Sequence, residues 1–147
     1  GFPLGGILTS DKIGNFMSIG SHGTTFGGGP IACSIGCSVV DIISKKSFLK
    51  KVQKKEGIFL NQLNKINSTH KCFKNILSAG LWISVEFEHS ISLCLDSLIK
   101  NAHKNGLMVL KANANTIRFS PSLIIEDDLI TKGLAIFEEV ILQTLEK

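Results

Sequence analysis

A glycine-rich segment with hydroxyl side chains stands near the start of the 147-residue chain. Residues 21–33, SHGTTFGGGPIAC, place Gly23, Thr24 and Thr25 ahead of Pro30, which suits the first turn of a helix. Glycines leave backbone N–H groups accessible, threonine hydroxyls add donors, and a helix N-terminus attracts anions. The segment fits a phosphate-binding loop and also a plain flexible loop before a helix, and it contains neither a Walker motif nor GxGxxG.

The single arginine of the chain, Arg118, lies in the segment IRFSPSL. A planar guanidinium suits a carboxylate that accepts two parallel hydrogen bonds, but a lone arginine near a strand is also typical of a surface ion pair. The other positive charges are lysines, and the formal net charge is +4. A nucleic-acid-binding surface would use arginine more freely, so the composition argues against a nucleic-acid partner.

The four cysteines, Cys33, Cys37, Cys72 and Cys94, contain no CxxC pair, which argues against a zinc ribbon or a disulfide framework. Cys33 and Cys37 lie four residues apart on one helix face, and we expect packing there rather than a metal site. This cysteine usage fits a reducing cytoplasm. The sequence has no apolar run of about 18 residues, so we expect no membrane-spanning helix.

The hydrophobic periodicity predicts strands and helices that could position these residues. In chain order it predicts a strand over 5–9, a short helix after the N-cap candidate Ser10, a buried helix over 30–43, an amphipathic helix over 47–66, a strand over 81–87, a helix over 90–106, two short strands around the turn 113–115, and an amphipathic helix over 126–145. The helix over 30–43 carries small and aliphatic residues on most faces, which predicts its burial. Beyond residue 49 the pattern favours a compact α/β or α+β unit.

Three segments resemble the C-terminal part of the class III, ornithine-type aminotransferases, which depend on pyridoxal phosphate: GFPLGGILTS, GSHGTTFGGGPIAC and IRFSPSLII. Within that class the chain is most similar, over essentially its whole length, to the bacterial acetylornithine/succinyldiaminopimelate type. The resemblance implies the C-terminal part of the fold type I α/β fold. Residues 1–44 would be a remnant of the large cofactor-binding domain, with a strand, the glycine-rich loop and a buried helix. Residues 45–147 would be the small C-terminal α/β domain.

The resemblance also implies site residues. Thr25 matches a threonine that donates to the cofactor phosphate of the partner subunit in a homodimer, and Gly23 and Thr24 lie in the same loop. Arg118 matches the arginine that binds the α-carboxylate of the amino-acid substrate and of 2-oxoglutarate. The implied reaction transfers the ω-amino group of N-acetylornithine, or of a succinyldiaminopimelate- or ornithine-like donor, to 2-oxoglutarate in arginine or lysine biosynthesis.

The chain departs from the family pattern at three places. The family's Schiff-base lysine lies upstream of the position of Gly1, so no catalytic residue is assigned here and we expect this chain alone not to transaminate. Gly29 stands where the family usually has asparagine, which predicts a looser loop. Leu77 and Ser78 replace an Arg-Gly pair, which bears on how the small domain docks. The alternative function is a non-catalytic remnant, or a dimerisation or binding module.

Overall fold

The computed structural model describes residues 2–88 and 94–145, which form two compact units, Gly1–Phe48 and Leu49–Lys147. The first unit holds helices α1 (Asp11–Gly14) and α2 (Pro30–Ile43). Among the described residues, the second unit contains a four-stranded antiparallel sheet and three helices. Their bounds are α3 (Lys46–His70), β1 (Phe73–Ala79), β2 (Trp82–Phe87), α4 (Leu95–Lys104), β3 (Leu110–Asn113), β4 (Thr116–Phe119) and α5 (Asp127–Leu145).

Two predictions for the first unit are wrong. Residues 5–9 form no strand, because no described strand lies beside them to supply a hydrogen-bonding ladder. The helix predicted over 30–43 is confirmed, but of its residues only Ala32 is buried, and Ile31 is 72% exposed. Residues 2–48, the described part of the first unit, form no sheet on which this helix could pack. Ser10 occupies the N-cap of α1, but its side chain makes no capping hydrogen bond.

The sheet of the second unit has the strand order β1-β2-β4-β3, so two local hairpins meet through the β2–β4 pair. The predicted strands around the turn 113–115 are confirmed. Strand β1 was not predicted, because polar residues interrupt its alternation. Its turn to β2 contains Gly80 at φ +61°. The Gly80 N–H and the Ser78 hydroxyl both donate to Glu56 Oε1, at 3.1 and 2.6 Å, which ties the hairpin tip to α3.

One face of the sheet packs against α3 and α5 and forms the core. Aromatic rings dominate this contact: the Phe119 ring lies 5.0 Å from that of Phe137 on α5 and 5.9 Å from that of Phe59 on α3. Phe73 and Phe87 complete the cluster around Phe137, at 6.2 and 6.3 Å between centroids. Successive side chains of a strand point to opposite faces of the sheet. The residues that alternate with the buried ones on β2 and β4 therefore lie on the outer face.

The predicted helices of the second unit are also present. The helix predicted over 47–66 is confirmed and runs to His70. α5 begins at Asp127, whose carboxylate accepts hydrogen bonds from Lys55 at 2.8 Å and Lys54 at 2.9 Å on α3. Of the helix predicted over 90–106, residues 90–93 lie outside the described residues, and the remainder forms α4 and ends before Gly106 at φ +81°. Within residues 2–88 and 94–145, no helix combines the length and the apolar content needed to cross a bilayer.

Candidate phosphate and carboxylate sites

The glycine-rich loop of the first unit exposes all three of its candidate site residues, Gly23, Thr24 and Thr25. The backbone N–H groups of these residues donate to no acceptor within the described part of the chain. Both threonines line an open cavity of about 650 Å³, whose lining also includes residues 2–5 and the start of α2 at Pro30. Hydroxyl and amide donors therefore face open space next to a helix N-terminus.

Two glycines of this loop are needed for its shape. A Cβ atom on Gly27 would lie 2.5 Å from Thr24 Oγ1, so the Thr24 hydroxyl occupies the space that a side chain would need. Gly28 has φ +70°, a conformation that other residues rarely adopt. Gly29 is different: it is the N-cap of α2 at φ −62° and could carry a side chain. Because it has none, no N-cap side chain accepts hydrogen bonds from the first turn of α2.

The residues of this loop fit a phosphate group. Between Lys12 and Asp41 the sequence contains no charged residue, so no carboxylate of this stretch repels an anion. The first turn of α2 is likewise free of acidic residues, and the positive end of its dipole favours negative charge. Two exposed hydroxyls and unbonded amides are the donors that such a group requires.

Arg118 lies on β4 in the second unit, on the outer face of the sheet. Its guanidinium carbon lies 4.7 Å from the centroid of the Trp82 ring. Its Nε atom is buried and has no hydrogen-bond partner, and among the described residues Arg118 makes no ion pair. The surface ion pair considered from the sequence is thus not formed within this part of the chain, and the guanidinium has donors to offer.

Glu86, on the strand next to Arg118, already accepts hydrogen bonds from other side chains. Glu86 and Arg118 line the same cavity of about 300 Å³. Glu86 accepts hydrogen bonds from Asn75 Nδ2 at 2.7 Å, Asn115 Nδ2 at 3.0 Å and Lys74 Nζ at 3.3 Å. These hydrogen bonds, that from Asn75 first, hold the pKa of the Glu86 carboxyl below its usual value. The sequence did not predict this network, because its members come from two strands, β1 and β2, and from the turn between β3 and β4.

Arg118 also lines a second cavity of about 300 Å³ whose other walls are mostly apolar. Leu110 and Phe119 of the sheet and Leu129 and Leu134 of α5 contribute to these walls. One guanidinium beside a polar and an apolar cavity can bind the carboxylate of a small molecule that also has an aliphatic part.

The cysteines form no metal site in the described part of the chain, where no cluster of three or more His, Cys, Asp or Glu side chains occurs. Cys33 and Cys37 are exposed, so the expected packing is wrong for this chain, because nothing in the first unit covers that part of α2. Cys72 is buried, and its burial raises the thiol pKa to about 11. Its thiol therefore stays protonated near neutral pH.

Comparisons with known proteins agree on one family. A family model described as "Aminotransferase class-III" matches residues 1–141. The mitochondrial acetylornithine aminotransferase of Saccharomyces cerevisiae is 38% identical over 142 residues, 96% of this chain and 33% of that protein. The acetylornithine/succinyldiaminopimelate aminotransferase of Yersinia pestis is 34% identical over 146 residues, 99% of this chain and 36% of that protein. The chain thus spans about a third of the length of these curated relatives.

Solved structures agree with this match. The ornithine aminotransferase of Plasmodium yoelii superposes with a TM-score of 0.74 at 26% identity, over 93% of this chain and 36% of that one. The N-acetylornithine aminotransferase of Stenotrophomonas maltophilia superposes with a TM-score of 0.73 at 20% identity, over 80% of this chain and 32% of that one, and shows a shared fold.

Proposed function

The chain belongs to the class III aminotransferases, and we propose that it forms the C-terminal third of an aminotransferase that uses pyridoxal phosphate. Its fold is that of the C-terminal part of the fold type I aminotransferases. In this proposal residues 1–44 belong to the large domain and residues 45–147 form the small domain. The match over nearly the whole chain supports this function over a stand-alone binding module.

We propose Arg118 as the residue that binds the substrate carboxylate. The observation that carries this role is a half-buried guanidinium that lies against Trp82 and has a buried Nε for which the described residues supply no acceptor. A carboxylate supplies the acceptors that such a guanidinium lacks, through two parallel charge-assisted hydrogen bonds. The same residue would bind 2-oxoglutarate and the amino-acid donor in turn, because both carry an α-carboxylate.

The glycine-rich loop is proposed to bind the cofactor phosphate through Thr25, with Thr24 and Gly23 beside it. The exposed hydroxyls, the unbonded amides and the absence of carboxylates between Lys12 and Asp41 support this role. We place the phosphate in the partner subunit of a homodimer, as the family resemblance implies. When bound, pyridoxal phosphate supplies an electron sink for the carbon that carries the transferred amino group. The chain's own residues bind and orient the phosphate and the carboxylate.

The proposed donor is N-acetylornithine or a similar ω-amino compound, and the proposed acceptor is 2-oxoglutarate. The names of the curated relatives support this choice of donor. The apolar cavity beside Arg118 offers room for an aliphatic part next to a bound carboxylate. All four cysteines are free thiols, which is consistent with the reducing cytoplasm in which we place the enzyme.

A chimeric enzyme tests this function. This chain would replace the C-terminal third of the Yersinia pestis relative, and transfer from N-acetylornithine to 2-oxoglutarate would be measured. Arg118→Gln should raise the KM for 2-oxoglutarate about 10- to 100-fold, because charge-assisted hydrogen bonds contribute about 1.5–3 kcal/mol. Cofactor binding should not change in this variant, because Arg118 is not assigned to the phosphate.

The phosphate site needs a separate variant. Thr25→Val should weaken cofactor retention without changing the KM for 2-oxoglutarate in cofactor-saturated enzyme. Ser21→Ala is the matched control, since it removes another exposed hydroxyl of the same loop. A chimera that folds, binds cofactor and transfers no amino group would overturn the proposed activity. An unchanged KM in the Arg118 variant would overturn the role of that residue.

A further inference from the structure

Trp82 and Arg118 meet through the pairing of β2 with β4. Ile83 pairs with Phe119, and both side chains are buried, so Trp82 and Arg118 point to the outer face. Ser84 pairs directly with Arg118, which makes Trp82 its diagonal neighbour two residues along β2. Diagonal neighbours touch only through long or aromatic side chains. Here the indole ring and the guanidinium satisfy that requirement, at 4.7 Å from ring centroid to Cζ.

The ring contributes little to the core, since Trp82 is 56% exposed. No described carboxylate holds the guanidinium, because Glu86 is bonded to Asn75, Asn115 and Lys74. A stacked ring restrains the plane of a guanidinium by contact with one face. It leaves the terminal Nη1 and Nη2 donors of the guanidinium free, whereas an acidic neighbour would occupy them and compete with an incoming carboxylate.

We infer that Trp82 is a positioning residue for Arg118: its ring fixes the guanidinium plane and thereby presents the edge donors to a substrate carboxylate. This inference rests on the proposed role of Arg118 and adds a residue that the family resemblance does not assign. A cation–π contact at a partly exposed site corresponds to about a two- to five-fold difference in binding. Loss of the ring should weaken carboxylate binding by that factor without unfolding the chain.

The composition gives a direct readout of the stack, because the chain has one tryptophan and one arginine. Labelling the full 147-residue chain with ¹⁵N-arginine yields one Nε–H signal in a two-dimensional NMR spectrum, recorded on dilute protein so that self-association through α2 does not broaden it. The indole ring current should shift this signal away from its position in an unstacked arginine. Trp82→Leu should abolish the shift and Trp82→Phe should retain part of it. Ile124→Ala removes exposed apolar surface outside both cavities of Arg118 and should leave the signal unchanged.

Titration with glutarate, used as a dicarboxylate probe, tests the consequence for binding. In the unchanged chain the Arg118 signal should move on addition of glutarate. We expect about two- to five-fold weaker binding in Trp82→Leu and near-normal binding in Trp82→Phe. Equal glutarate affinity in all three chains would overturn the positioning role and leave Arg118 as a carboxylate-binding residue.

A second outcome separates the two proposals. If glutarate leaves the Arg118 signal of the unchanged chain unmoved, the carboxylate role of Arg118 fails, and the inference that depends on it fails too. If the signal responds to glutarate but Trp82→Leu leaves its position in free protein unchanged, the ring does not fix the guanidinium. That result overturns the inference alone.

Discussion

Replacing Arg118 by leucine should stabilise the fold while it removes the proposed function. Among residues 2–88 and 94–145 the buried Nε of the guanidinium has no partner, and a buried unsatisfied donor costs about 1–3 kcal/mol. The stack on Trp82 offsets part of this cost, by about 0.5–1 kcal/mol. Leucine at this position would have neither the unsatisfied donor nor the cation–π contact. It could also contact Leu110, its exposed neighbour on β3. The net expectation is a gain of about 1 kcal/mol in the free energy of unfolding.

Thermal and urea unfolding followed by circular dichroism would measure this change. Arg118 lies in the compact unit Leu49–Lys147, and for a unit of this size 1 kcal/mol raises Tm by about 4–8 °C. Lys111→Leu is the matched control, because Lys111 is a cation on the neighbouring strand whose ammonium is bonded to Asp96 at 2.7 Å. This control should lower stability slightly, since it removes an exposed ion pair.

The reasoning would be refuted if Arg118→Leu lowered the free energy of unfolding by 1 kcal/mol or more. Such a loss would mean that the guanidinium has acceptors in solution and serves the fold. A gain together with lost glutarate binding would mean that the residue is retained for its ligand at a cost in stability.

Four further predictions concern the core, the loop, the pH dependence and the exposed helix. Phe137→Ala should lower the free energy of unfolding by about 3–5 kcal/mol in urea, because the ring touches three others in the core; a loss below 2 kcal/mol would contradict the packing. Gly29→Asn should raise the stability of α2 by about 0.5 kcal/mol, seen as greater helix content on heating, because it adds an N-cap acceptor at a compatible φ. The pKa of Glu86 lies below its ordinary 4.5, so in acid the unfolded chain binds more protons than the folded chain. The free energy of unfolding should therefore fall as the pH drops through and below that value. Glu86→Gln should make this fall smaller, as measured by urea unfolding at several pH values from 6 to 3. The isolated chain should self-associate through the exposed apolar residues of α2, and sedimentation as a monomer at high concentration would contradict this.

Local sequence signals predicted the elements whose causes are local. Pro30 marks the start of α2, Gly106 follows the end of α4, and the polar turn 113–115 separates β3 from β4, as the structure confirms. The hydrophobic pattern gave a wrong prediction where the structure of a segment depends on packing against another segment. Within residues 5–9, Ile7, Leu8 and Thr9 favour a strand but have no partner strand among the described residues. Helix α2 has apolar side chains, but the described part of its unit contains no sheet that covers them.

The sequence predicted which residues belong to the candidate sites, but not which other side chains they contact. The glycine loop and Arg118 stood out because few residue types bind phosphate or carboxylate well. The contact between Trp82 and Arg118 could not be inferred, since it depends on the register of β2 against β4, which no local pattern fixes. The hydrogen bonds of Glu86 could not be predicted for the same reason. Asn75 and Asn115 come close to Glu86 only when β2 is paired with both β1 and β4.

The strand order β1-β2-β4-β3 combines two local hairpins, which should form fast, with one non-local strand pair, which should form slowly. β1–β2 and β3–β4 are hairpins between sequence neighbours, and hairpins of this kind close in about 1–10 µs. The β2–β4 pair joins Trp82 to a residue 36 positions away, across α4, and such non-local pairing forms late. We therefore expect a refolding chain to form both hairpins before it brings Trp82 beside Arg118. The lone tryptophan should report that final pairing as a kinetic phase of its own in stopped-flow fluorescence.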